Sequence, residues 1–419
     1  MTKPIVFVFP LLTLVASVPA LAQTGGASGV HGRDAAAGQH GQQNPHAQGS
    51  THGGAAAPEA PLDWAAEEAG MLANQRQLTF PDVYIKAGES YFSPDGSKVV
   101  FQAVEKPEDG GTPAEYYGMY VADVVRGADG RITGLANHRR LSPKGSANTC
   151  GWFHPTEPDT VIFASTISAP TESAPPGYQR GTGRYRWMFP PEMQIVSCDL
   201  RTADGTIATL KRLVQHNGAY QAECSVSPDG KTLLYCSLDT NQGDLYVKDV
   251  ASGKSTCIVD KPGYDGGPFF SPDGKRICWR SDRRGDNLLQ LFVADLVFDS
   301  AGRVVGIGPE HELTNDQNVN WCPFWTPDGR SLVFGTSREG HRNYEVFMLD
   351  ADPGNLPGSD GPIRYGTNVR RVTAASGADV LPAFSADGRT MIWTSQRGEG
   401  GSSQLWVADF LPASEPARK

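Results

Sequence analysis

The chain has 419 residues, 20% of them charged, and a net charge of −9. That balance argues against general nucleic-acid binding, which needs a basic surface. No apolar run beyond the N-terminus is long enough to span a membrane.

The first residues read as a secretory signal. Lys3 supplies the positive charge, an apolar stretch runs from Ile5 to Val18, and Ala20-Leu21-Ala22 is an A-x-A cleavage site. The mature chain is expected to begin near Gln23 and to act in the periplasm or outside the cell. No cysteine follows the cleavage site, so no lipoprotein anchor is expected. Residues 23–62 are rich in Gly, Ala, Gln and His. They lack the apolar side chains needed to offset ordering entropy and read as a disordered linker. Its His31, His40, His46 and His52 are a candidate transition-metal tract. A solvated linker is the favoured alternative, because no cysteine or carboxylate cluster accompanies them, and no metal or other cofactor is assigned. Residues 63–75 read as a short amphipathic helix, with Asp63 as N-cap and Trp64, Met71 and Leu72 on its apolar side.

From residue 76 to 410 one phrase recurs. Its copies are Phe92-Ser93-Pro94-Asp95-Gly96, Val226-Ser227-Pro228-Asp229-Gly230, Phe270-Ser271-Pro272-Asp273-Gly274, Trp325-Thr326-Pro327-Asp328-Gly329 and Phe384-Ser385-Ala386-Asp387-Gly388, with a degenerate one at Phe153-His154-Pro155. Each is a strand end followed by a tight turn: Pro presets φ, Asp suits the next position, and Gly takes the φ > 0 position. An apolar run follows each, as in Val99-Val100-Phe101 or Met391-Ile392-Trp393, so each unit opens with a hairpin. A third strand follows and ends in Asp, as at Tyr120-Val121-Ala122-Asp123. A weaker fourth strand comes next, as at Arg371-Val372-Thr373. Four short antiparallel strands repeated six times predict an all-β, six-bladed propeller. The last blade stops near Asp409, and a spare strand lies before the first hairpin at Gln77-Leu78-Thr79. The N-terminal strand is therefore expected to complete the last blade and remove the open edge. Residues 411–419 are left as a tail.

The repeated Ser-Pro-Asp-Gly phrase, followed by Lys or Arg and an apolar strand, resembles the WD-like repeats of TolB-type propellers. The resemblance covers roughly residues 76–410. It is specific for fold and not for function, because such propellers also occur in prolyl-oligopeptidase-like enzymes and in exported proteins of other roles. TolB carries an extra N-terminal α/β domain for which this chain has no room. No α/β-hydrolase pattern follows the repeats. No nucleophile elbow, zinc-protease motif or P-loop is present, so no catalytic residue is assigned.

Binding residues are sought on the face that gathers the loops between strands two and three and between strands four and one. One long insertion, about Thr166 to Met193, interleaves aromatics with arginines: Tyr178, Arg180, Arg184, Tyr185, Arg186, Trp187 and Phe189. That mixture suits a carbohydrate, a peptide or an anionic group. A local core formed by the loop itself is the alternative. Arg280 and Arg338 stand on the same face, either as part of an anion-binding rim or neutralised by nearby carboxylates. Alignment of the first strands puts Asn148, Gln221, Asp265, Asn320 and Asp379 at one position, with Glu89 and Glu223 two residues on. Strict alternation would send both positions to the channel, as a polar mouth for a ligand or for water. His216 and His341 fall on the same face and would have to converge with carboxylates in a metal-dependent lyase or hydrolase acting on an acidic polysaccharide. The favoured reading is a non-catalytic scaffold for a protein, peptide or anionic envelope polymer, of unspecified oligomeric state. The seven cysteines read as small buried residues with one or two disulfides among them.

Overall fold

The computed structural model describes residues 63–171, 189–351 and 366–411, and the backbone of 177–179 and 184–186. The signal and linker lie outside these residues, as do Arg180 and Trp187. Among the described residues no helix is long and apolar enough to cross a membrane.

Six antiparallel sheets follow one another along the chain, each ordered from first to fourth strand. Their first strands are Tyr84–Phe92, Asn148–Phe153, Gln221–Val226, Asp265–Phe270, Asn320–Trp325 and Asp379–Phe384. This is the predicted six-bladed propeller. Its core comes from the alternating inner side chains of the strands, with Phe101, Trp279, Phe334 and Trp393 of the second strands fully buried. The turn phrase folds by its own chemistry. In five blades the Ser or Thr hydroxyl donates to the turn Asp at 2.6 Å, and the Gly stands at φ between +67° and +75°.

The ring closes through the N-terminal strand, which is longer and earlier than expected. Leu72–Gln77 pairs antiparallel with Gln404–Phe410, with Leu72 opposite Phe410 and Gln77 opposite Trp406. The helix is correspondingly short, Trp64–Glu68, capped by the Asp63 carboxylate on Ala66 N. Met71 and Leu72 are therefore buried in the sheet region and do not form a helix face. Glu68 turns inward. Its carboxylate accepts two bonds from Arg397, at 2.8 and 2.9 Å, and one from Ala374 N at 2.8 Å. Arg397 also meets Asp379 at 2.8 Å and lies over the rings of Trp64, Trp393 and Trp406, 4.5–5.5 Å from their centroids.

The cysteines form no disulfide. All seven are free, five of them buried, with Cys150 half-buried and Cys257 exposed. The hairpin that holds Cys224 and Cys236 shows why. Its register pairs Ala222 with Cys236 and Ser225 with Leu234, and Cys224 falls in the irregularity between them.

Candidate functional site

The first strands do not alternate strictly. Each carries a register shift two residues after its aligned position. The residues there are Glu89, Cys150, Glu223, Gly267, Cys322 and Leu381, all at φ between +42° and +58°. Six equivalent bulges re-aim six side chains, and five of the six hold a non-glycine residue in the left-handed region, a strained arrangement typical of functional sites.

The bulge corrects the expected mouth. Asn148, Gln221, Asp265, Asn320 and Asp379 are at most 4% exposed, and their bonds run into their own blade or the blade before it, away from the channel. Asp265 accepts Trp279 Nε1 at 3.0 Å and Arg283 at 2.7 Å, while Asp379 accepts Trp393 Nε1 at 2.9 Å and Arg397 at 2.8 Å. Asn148 donates to Tyr117 O, Gln221 to Gln215 O, and Asn320 to Asp316 and Gln290. These residues staple each first strand to its surroundings. The arginine rim is consumed in the same way: Arg338 pairs with Asp316 at 2.8 Å, and Arg283 with Asp265 and Glu310.

Two carboxylates do reach the channel. Glu223 accepts from Tyr264 Oη at 2.6 and 2.7 Å, Gly267 N at 2.5 Å and Arg280 at 2.9 Å. The glycine is required, because a Cβ on Gly267 would stand 2.2 Å from Arg280 Nη1. Its missing side chain is the gap through which Arg280 crosses to the neighbouring blade. Glu89 accepts Thr149 Oγ1 at 2.9 Å and Cys150 N at 3.2 Å. Burial, then the charge of Glu223, raise its carboxyl above the ordinary value, against the pull of those bonds.

These groups surround a recess of about 40 Å³, lined also by Gln102 and Trp321. Three of its buried polar atoms have no hydrogen-bond partner among the described residues: Arg280 Nε, Trp321 Nε1 and Gln102 Oε1. Buried polar atoms are seldom left so, and those that are mark a place for water or a ligand group. The floor of the recess is aromatic. Tyr91, Trp152, Phe269 and Phe324, two residues beyond the bulges, lie with every pair of ring centroids 5.1–6.2 Å apart. They plug the channel and separate its two ends.

The long insertion forms a short hairpin, Gly177–Gln179 with Arg184–Arg186, in which the register sets Tyr178 opposite Tyr185. Its base is anchored. Phe189 is buried against Tyr220 and Tyr264, at 4.6 and 5.3 Å between centroids, and so belongs to a local core. Thr171 donates to Glu192, and His216 Nε2 lies 2.7 Å from Pro191 O. His216 thus tethers the insertion. His341 packs instead beside Tyr344 in the fifth blade. Among the described residues no three His, Cys, Asp or Glu side chains form a metal-binding group.

One carboxyl beside Asp379 carries a pH prediction. Burial first, then the charge of Asp379, push Glu345 from an ordinary 4.5 up to about 8, against bonds from Thr373 and Arg371. The folded protein keeps a proton that the unfolded chain has released. Stability therefore falls as the pH rises from about 4.5 to about 8. Urea midpoints measured across that range will fall less steeply in Glu345→Gln than in the native chain; Asp282, itself raised by burial to about 6, keeps its own share of the slope in both. Parallel slopes would refute the assignment.

Comparison with known proteins places the chain among propellers. A family model, the PD40 TolB beta propeller domain, matches residues 204–359. Dipeptidyl-peptidase 5 of Porphyromonas gingivalis is 33% identical over 168 residues, 35% of this chain and 23% of that protein. The Tol-Pal system protein TolB of Wolinella succinogenes is 28% identical over 188 residues, 45% of this chain and 39% of that one. The chain thus spans well under half the length of these curated relatives. A solved oligogalacturonate lyase in complex with manganese is 16% identical, with a TM-score of 0.45 over 81% of this chain and 93% of its own.

Proposed function

We propose that this chain, a member of the TolB-type β-propeller family, is an exported binding scaffold whose loop-rich face holds a protein, a peptide or an anionic envelope polymer. The observation that carries this reading is the recess above the aromatic plug, where two N–H donors and one carbonyl acceptor stand buried without partners among the described residues. That set suits a small polar end group with both an acceptor oxygen and a proton to give: a primary amide, a carboxylic acid or a sugar hydroxyl. Peptides and envelope polysaccharides both carry such groups. The aromatic and arginine side chains of the insertion are proposed as further contacts on sequence grounds alone. A relative named for the Tol-Pal system fits a role in binding other components.

The test is a thermal-shift screen of the mature chain against peptides, uronate oligosaccharides and divalent ions, followed by titration of whichever ligand shifts it. Trp321→Phe removes the Nε1 donor, which has no partner among the described residues, and leaves a small cavity where the buried indole packs beside Tyr344, so it costs about 1–3 kcal/mol of stability while the chain stays folded. Affinity falls roughly five- to tenfold, the worth of one hydrogen bond. Unchanged affinity in Trp321→Phe would place the contact elsewhere.

A further inference from the structure

On the turn side of the plug the channel widens into a cup of about 290 Å³. Its floor is Trp152, Phe269 and Phe324 of the plug, all partly exposed, and its wall is built from the repeated turn phrases. Five blades present a proline there, and the sixth presents Ala386. In the third blade Ser225 stands where four other blades carry a plug aromatic, and it too lines the cup.

Among the described residues no charged side chain lines this cup, and its polar wall side chains are already bonded. Ser93, Ser271 and Ser385 each donate to their own turn Asp at 2.6 Å. Ser225 donates to Pro268 O at 3.1 Å, and Trp325 Nε1 to Phe269 O at 3.2 Å. A charged occupant would lose its hydration with nothing to replace it. An apolar occupant would cover ring faces and prolines that water now touches. The volume lies at the small end of ligand pockets, roughly 300–1,000 Å³, and the plug shuts the far end.

We propose that this cup is a second binding site, separate from the recess, and that it takes a small neutral aromatic molecule of one or two fused rings. The rings of Trp152, Phe269 and Phe324 form the surface on which it stacks.

The probe is 6-propionyl-2-dimethylaminonaphthalene, a neutral fluorophore of two fused rings that brightens in apolar surroundings, titrated into the full mature chain. The expected result is saturable, one-to-one enhancement. Ala386→Trp introduces a large ring at an exposed wall position and weakens binding at least tenfold, with the melting temperature unchanged. Trp321→Phe, on the other side of the plug, binds the probe as the native chain does. Absence of saturable enhancement would overturn the proposal, as would full binding in Ala386→Trp or loss of binding in Trp321→Phe.

Discussion

Arg397→Ala lowers the unfolding free energy by about 3–5 kcal/mol, the range for breaking a buried ion pair from one side. Arg397 and its partners Glu68 and Asp379 each have side chains only 1% exposed. Removing the guanidinium strands two carboxylates away from water and empties the space between Trp64, Trp393 and Trp406. The effect extends beyond the pair, because Glu68 lies four residues before the strand that closes the ring. Without that latch the edge of the sixth blade opens more readily. Arg397→Lys recovers little, since an ammonium cannot reproduce two parallel bonds and a flat stack over indole rings. Urea denaturation of both variants and of Glu68→Gln measures this, and a double-mutant cycle isolates the coupling. A loss below about 1 kcal/mol for Arg397→Ala, the scale of an exposed pair, would contradict the latch.

Glu223→Ala carries a comparable loss, again about 3–5 kcal/mol. It leaves Arg280 charged in the channel wall without its carboxylate and removes the acceptor shared by Tyr264 Oη and Gly267 N. The double variant Glu223→Leu with Arg280→Met removes both charges and should be more stable than Glu223→Ala alone. Replacing a buried pair by apolar groups of similar volume is often neutral or favourable. The same double variant dismantles one wall of the recess, so stability returns without ligand binding. If the double variant is less stable than the single one, the pair is not the isolated unit described here.

The architecture was legible because the turn phrase prints its chemistry in consecutive residues. Ser, Asp and Gly at fixed spacing bond to one another wherever they fall. The closing strand was legible from strand counting, and its start at Leu72 was not. Leu72 also fitted a helix face, and only pairing with Phe410 decides between the two. The channel was half legible. Glu89 and Glu223 were identified, but strict alternation carried Asp265, Asp379 and their equivalents to the wrong place. A bulge depends on backbone torsion, which residue type signals only at Gly267. The plug had a signal that went unused: Tyr91, Trp152, Phe269 and Phe324 share one aligned position. Arg397 follows the same Ser-x-Arg pattern as the rim residue Arg283, which gives no sign of its separate role. Nothing near it in sequence announces Glu68, 329 residues away.

The measurement that bears most directly on the central claim is the chemical fate of the bound ligand. The mature chain is incubated with the ligand found by thermal shift, washed, and eluted, and the eluate is analysed by mass spectrometry with and without added divalent metal. A binding scaffold returns the ligand intact in stoichiometric amount under both conditions. Cleaved peptide, or oligosaccharide shortened with a new unsaturated end, would show turnover and contradict the account.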